Sequence, residues 1–241
     1  MKKIVSLSLL SVFLFGLMAS QGFGQKATDI LEKNIEALGG RKRLSSIKDT
    51  TMIGTLNVVM AGMSGTVTMY QKEPNMMRMD MEVMGMMMTQ AFDGEVAWGT
   101  NPQTGATETM PSDQTDDFKR MSYGNDILLN PDKHGVTYTL KDSENIEGKD
   151  YFVLVQTFSD GFTQTLYIDS KTYLPYKSVA TVNSMGVEAE AETYLSDWRE
   201  VDGTMVSFSA RILYDGEEAL TMTFSEVKYN TSLEDSLFKM D

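Results

Sequence analysis

Residues 60–88 read MAGMSGTVTMYQKEPNMMRMDMEVMGMMM and hold more than half of the chain's 20 methionines. Within them Met77, Met79, Met81 and Val83 alternate strictly with Arg78, Asp80 and Glu82. A period of two with one apolar and one charged set marks an antiparallel strand that has one dry and one wet face. Gly65 to Tyr70 has the same character, with Val67 and Met69 set against Thr66 and Thr68, and Glu73-Pro74-Asn75 joins the two runs. Gly85 breaks the pattern, and Met86 to Phe92 starts another strand that ends at the hairpin signal Asp93-Gly94. The stretch predicts a meander whose buried face is rich in methionine. Methionine is unbranched and polarizable, so this face serves either as a soft core or as a concavity that adapts itself to acyl chains.

The chain on either side extends the meander. Upstream, Met52 to Met60 alternates with Met52, Leu56, Val58 and Met60 on one face, and Ala61-Gly62 turns it back. Before that strand the period is helical: Thr28 or Asp29 caps, Leu31, Ile35 and Leu38 share a face, and Gly39-Gly40 ends the helix. Downstream, Ser112 to Tyr123 carries Phe118 and Met121 at helical spacing among Asp116, Asp117, Lys119 and Arg120, a short amphipathic helix inside an otherwise β chain. Runs beginning at Val136, Tyr151, Phe162, Tyr176, Val187, Met205 and Ala219 are further strands joined by turns such as Ser159-Asp160-Gly161 and Asp215-Gly216. The expected fold is mainly β: an antiparallel half-barrel of about eleven strands, curled because so large a sheet with one apolar face is unstable flat. Helices cover its concave face.

Composition narrows the function. Lys2 and Lys3, the apolar run Ile4 to Met18, and Gly22-Phe23-Gly24 together predict an export signal over residues 1–24, followed by a single domain over 25–241. No other segment approaches the roughly 20 apolar residues of a membrane span, so the mature protein is expected in the periplasm, soluble and monomeric. The formal net charge is −13 and becomes more negative once Lys2 and Lys3 are removed. Such a surface repels nucleic acid and anionic headgroups, so any lipid contact must be apolar and internal. There is no cysteine, so neither a lipid anchor at a cleavage-site cysteine nor a disulfide is available.

Chemistry is sparse. His134 is the single histidine, in a loop where a solvent-facing side chain is expected. Triads, thiol chemistry and histidine metal sites therefore lack the residues they need. Glu188, Glu190 and Glu192 recur at strand spacing as a solvated face, and Asp113, Asp116 and Asp117 lack the pattern of a calcium loop. No phosphate loop or dinucleotide fingerprint is present. No enzyme, cofactor or metal site is expected.

Several segments, taken in order, resemble the superfamily of periplasmic lipoprotein carriers and outer-membrane lipoprotein-sorting proteins (LolA/LolB-like). They are Ile30 to Leu38 with Gly39-Gly40, Leu44 and Ile47; Phe92-Asp93-Gly94 with Trp98; Leu166 to Pro175, where a strand ends in Asp169 and restarts at Leu174-Pro175; Tyr194 to Gly203; and Asn230 to Phe238. The resemblance covers most of the chain after residue 24 and departs from the pattern at Thr204-Met205-Val206, where a proline usually follows the turn. It implies a half-barrel whose apolar cavity takes acyl chains of lipids or lipoproteins, with membrane-bound donor or acceptor proteins as further partners. The cavity candidates are Leu56, Val58, Met60, Val67, Met69, Met77, Met79 and Met81, and the lid candidates are Leu31, Ile35, Leu38, Phe118 and Met121. No motif places a lid-holding arginine, for which Arg78 and Arg211 are available. A sensing or binding module that uses the same fold to recognise a protein is the alternative.

Overall fold

The computed structural model describes residues 26–184 and 187–240; the expected signal segment lies outside them. Two helices open the chain, α1 (Ala27–Ala37) and α2 (Arg41–Ser46). Six strands follow: β1 (Asp49–Val58), β2 (Met63–Lys72), β3 (Met76–Val83), β4 (Met86–Phe92), β5 (Ala97–Thr100) and β6 (Thr107–Thr109). Helices α3 (Ser112–Ser122) and α4 (Asp126–Leu129) interrupt them. Eight more strands follow, with short 3-10 turns at Pro131–His134 before them and Asp235–Phe238 after them: β7 (Thr137–Leu140), β8 (Glu144–Ile146), β9 (Lys149–Thr157), β10 (Thr163–Asp169), β11 (Pro175–Ser184), β12 (Val187–Val201), β13 (Thr204–Tyr214) and β14 (Glu217–Tyr229).

All fourteen strands belong to one antiparallel sheet in the order β6-β5-β4-β3-β2-β1-β14-β13-β12-β11-β10-β9-β7, with β8 paired to β9. The β1–β14 pairing joins an N-terminal and a C-terminal meander, and the outermost strands β6 and β7 do not meet, so the half-barrel stays open. The count exceeds about eleven partly through β6 and β8, three residues each and too short to show any alternation.

Local chemistry sets the hairpins. Met84-Gly85, Glu147-Gly148, Asp202-Gly203 and Asp215-Gly216 each place two successive residues at positive φ, the conformation that two-residue hairpins need to match strand twist. Asp and Gly tolerate it readily, whereas Met84 does so as an exposed hairpin tip. Gly54 has a different role. The register shifts beside it, and a Cβ there would lie 2.2 Å from the Thr223 carbonyl oxygen. Its missing side chain lets β1 and β14 close tightly.

Register across β1–β4 puts Met52, Met69, Met79 and Gln90 in one row, and Gly54, Val67, Met81 and Met88 in the next. The methionine-rich face is thus continuous and concave. It packs with Phe208, Met222, Phe224 and Val227 of β13 and β14. The outer face carries Arg78, Asp80 and Trp98, the last covered by the chain's final turn through a bond from Trp98 Nε1 to the Phe238 carbonyl at 2.8 Å.

Candidate binding cavity

The helices cross the concave face and seal it along three lines. Helix α1 buries Ile30 and Leu31 against Leu154 and Ile168. Its Ile35 packs with Leu44 and Ile47 of the α2 region. Helix α3 sets Phe118 on Met77, Phe92 and Ala97. Between these contacts the face is not filled, and the register shows why. One row runs Leu154, Leu166, Ser178, Thr193, Ile212. Its neighbour runs Tyr138, Gln156, Gln164, Ala180, Ala191, Tyr214. Small side chains meet in the middle, at Ser178 and Thr193 and at Ala180 and Ala191, with larger ones on either side. Short side chains beneath helices that rest on larger neighbours leave space.

That space is a cavity of about 600 Å³ roofed by Arg120, Met121, Gly124, Ile127 and Leu128 and walled also by Phe158, Phe162 and Val182. It falls in the range of about 300–1,000 Å³ typical of small-molecule sites. A second, of about 430 Å³, lies under α1 and α2 between Leu38, Leu44, Met52, Met69, Leu195 and Phe224. A third, of about 210 Å³, sits between them against Met69, Gln71, Glu73, Met77 and Asn125. The three adjoin: Thr193 borders the first and second, Gly124 the first and third, and Asn125 the second and third.

Polar contacts pin the roof at its edges. Arg120 pairs with Asp117 on its own helix and with Asp160 in the β9–β10 turn, its guanidinium 4.2 Å from the Phe162 ring centroid. Gln71 donates to the Ser122 carbonyl, and Arg41 donates to the Leu129 carbonyl at 3.0 Å. The Glu73 carboxylate accepts from the Asn125 N–H at 3.2 Å. Burial raises Glu73 to about 7, with Asp126 adding to the rise, although the Asn125 bond and Lys48 and Lys133 oppose it. Asp126 is the reverse. Burial pushes it up, but hydrogen bonds from Lys133, Asn130 and His134 outweigh that and hold it at about 2. His134 is not the solvent-facing loop side chain expected: it is 9% exposed, 2.8 Å from Asp126 and tilted against the Tyr123 ring. The roof's fold buries it.

The expected site residues divide among these features. Met69 and Met77 border cavities, and Leu56, Val58, Val67, Met79 and Met81 share their concave face but are packed into the methionine-rich cluster. Met60 is in the turn Val59–Ala61 that ends the strand early, 73% exposed and off the concave rows. Among the lid candidates, Leu38 and Met121 border cavities, while Leu31, Ile35 and Phe118 anchor the helices to the sheet. Arg78 and Arg211 lie on the outer face with Asp80 and Glu218 and touch no roof helix. The largest of these three cavities lies in the C-terminal half of the sheet, away from the methionine stretch. Its small-residue floor depends on which strands pair, which no single segment of the sequence discloses. Among the described residues, no group of three or more His, Cys, Asp or Glu is placed to hold a metal ion, and no helix is long and apolar enough to cross a membrane.

No family model matches the chain, and no curated protein matches it in sequence. Solved structures match its fold. A LolA superfamily protein from Nitrosomonas europaea aligns with a TM-score of 0.58 at 17% identity, over 90% of this chain and 98% of that one. An outer membrane lipoprotein-sorting protein domain from Vibrio parahaemolyticus aligns with a TM-score of 0.59 at 13% identity, over 86% and 95%. A DUF1329 family protein from Desulfovibrio piger aligns with a TM-score of 0.58 at 15% identity, over 87% and 95%. The chain has a LolA/LolB-like fold.

Proposed function

We propose that this is an exported lipid- or lipoprotein-binding protein that sequesters acyl chains without covalent chemistry, in lipoprotein sorting or lipid trafficking in the periplasm. One observation carries the reading: adjoining, largely apolar cavities lie between the concave face and a roof of short helices. Burying each methylene is worth roughly 0.8 kcal/mol, so ten buried methylenes supply about 8 kcal/mol before the cost of association. A carrier has to release its load, and a roof pinned by a few polar contacts is suited to opening. The fold shared with a lipoprotein-sorting domain supports the same reading. The partners are acyl chains or lipoproteins, with membrane-bound donor and acceptor proteins at either end, and residues 25–241 act as one monomeric domain without enzymatic activity, cofactor or metal.

Native mass spectrometry of protein purified without detergent, followed by uptake assays on delipidated protein, tests the proposal. A copurifying lipid, or saturable uptake of a fatty acid, phospholipid or acyl-peptide, is the expected result. If no lipid copurifies and none of the three is taken up, the proposal is overturned.

A second reading, a module that recognises a protein, draws on one feature. Met60, Met84, Met86 and Met87 are all more than half exposed at the tips of the β1–β2 and β3–β4 turns. Adaptable methionines of this kind suit a variable partner surface.

A further inference from the structure

The largest cavity contains polar groups that an apolar container does not need. Gln156 is 2% exposed and lies on its wall beside Gln164 and Tyr138, in adjacent strands of one row. Burying an amide in such a place is unfavourable unless it is hydrogen-bonded. The three groups satisfy one another in a fixed direction. The Gln164 amide donates to Gln156 Oε1, and Gln156 Nε2 donates to the Tyr138 hydroxyl oxygen at 2.7 Å. The chain ends there: among the described residues, the Tyr138 O–H has no acceptor. Phenylalanine at Tyr138 and methionine at the two glutamines would fill the same positions with no buried amide or hydroxyl, so the relay adds one thing, a donor presented to the cavity.

Charge decides which acceptor fits. The charged groups lining this cavity are Asp117 and Arg120. Arg120 is claimed by both Asp117 and Asp160, so no cation is left to receive an anionic head, and the cluster is net acidic. A carboxylate taken out of water needs a partner charge or several donors. An ester or amide carbonyl needs one donor. Burial also pushes the Tyr138 hydroxyl up to about 12, so the group remains a proton donor across the physiological range.

We propose that the Tyr138–Gln156–Gln164 relay is a recognition site for the uncharged carbonyl of an acyl ester or amide, making the cavity select esterified or amidated chains over free carboxylates. The proposal rests on the acyl-binding reading above and adds the head-group class and the residue that sets it. The chain would run from Tyr138 over the floor of Ser178, Ala180, Ala191 and Thr193 toward Ile212.

The test uses the delipidated protein with three probes: the uncharged dye N-phenyl-1-naphthylamine, which reports cavity occupancy by fluorescence, and monododecanoylglycerol and dodecanoate, which carry the same acyl chain, as competitors at about pH 8. The ester is expected to displace the dye at least tenfold more effectively than the carboxylate. Tyr138→Phe should weaken the ester by about three- to tenfold, the size of one uncharged hydrogen bond, and leave dye and dodecanoate unchanged. Gln164→Met, which removes the amide orienting Gln156, should act in the same direction, and dye binding shows that each variant retains its cavity. Equal competition by ester and carboxylate, or an ester affinity untouched by both substitutions while the dye still binds, overturns the relay alone. Failure of dye, ester and carboxylate all to bind overturns the acyl-binding reading itself.

Discussion

The carboxylate of Glu73, at the end of β2, accepts a hydrogen bond from the backbone N–H of Asn125, in the link between α3 and α4. It ties the roof to the sheet at a border of the third cavity, where burial favours the neutral acid over the carboxylate. The raised value of about 7 means that folded protein holds this proton where unfolded chain, with the ordinary value of 4.5, has released it. The stability that comes from holding this proton is therefore complete below about pH 4.5 and is lost as the pH rises to about 7, while the Asn125 bond itself favours the ionised form. Glu73→Gln keeps an acceptor for Asn125 and removes the titration. Urea unfolding should show the variant gaining on wild type between pH 5 and 8, by roughly 1–2 kcal/mol after discounting for solvent screening. A constant difference across that range would mean that Glu73 titrates normally in the fold.

Asp126 predicts the opposite slope at the acid end. Its carboxylate takes Asn130, Lys133 and His134 at 2.6–2.8 Å and holds the turn after α4 together. A group lowered from 3.8 to about 2 stabilises the fold above pH 4 and loses that contribution as the pH falls toward 2. Asp126→Asn should destabilise at neutral pH by about 1–2 kcal/mol, typical of lost charge-assisted hydrogen bonds. The gap between variant and wild type in chemical denaturation should close in acid.

The methionine stretch separates into packing and surface. Met77 is 4% exposed against Phe92, Ala97 and Phe118, so Met77→Ala should cost about 2–5 kcal/mol. Met60 and Met84 are 73% and 75% exposed, and Met60→Ser and Met84→Ser should each stay within about 0.5 kcal/mol of wild type. Unfolding midpoints for the three variants check both halves of this statement.

The same stretch shows what a sequence can disclose. Alternation of Met77, Met79 and Met81 with Arg78, Asp80 and Glu82 identified a strand and its dry face because both are properties of one segment. Met60 continued the apparent parity but stands in a turn, since alternation says nothing about where a strand stops. The cavity needed more. Ser178 faces Thr193 and Ala180 faces Ala191 only once the pairing of β11 with β12 is fixed, and their smallness matters only under a roof. His134 could not be read for a similar reason: its partners, Asp126 and Tyr123, come from the preceding helical turns of the roof.

If the floor of small residues makes the cavity, filling it should separate binding from folding. Ala180→Leu and Ala191→Leu place a larger apolar side chain into empty space, so neither should lower the unfolding midpoint appreciably. Uptake of an acyl probe should fall by tenfold or more. Unchanged uptake in both variants would move the binding site to the cavity beneath α1 and α2.

The Arg120–Asp160 pair bears on release. It links the roof to the β9–β10 turn at the edge of the largest cavity, with side chains 14% and 40% exposed. A half-exposed ion pair adds about 0–1 kcal/mol to global stability, so Asp160→Asn should leave the unfolding midpoint nearly unchanged. Opening the roof is a smaller event than unfolding the sheet, and a contact that contributes little globally can contribute much of a local opening barrier. Stopped-flow displacement of a bound acyl probe should therefore show faster dissociation from Asp160→Asn, by about three- to fivefold, the rate equivalent of nearly 1 kcal/mol. Because Arg120 still has Asp117 as a partner in that variant, no charge is left bare, and Arg120→Met, which also gives up its contact with the Phe162 ring, should release faster still. Dissociation at the wild-type rate from both would place the exit elsewhere along the roof.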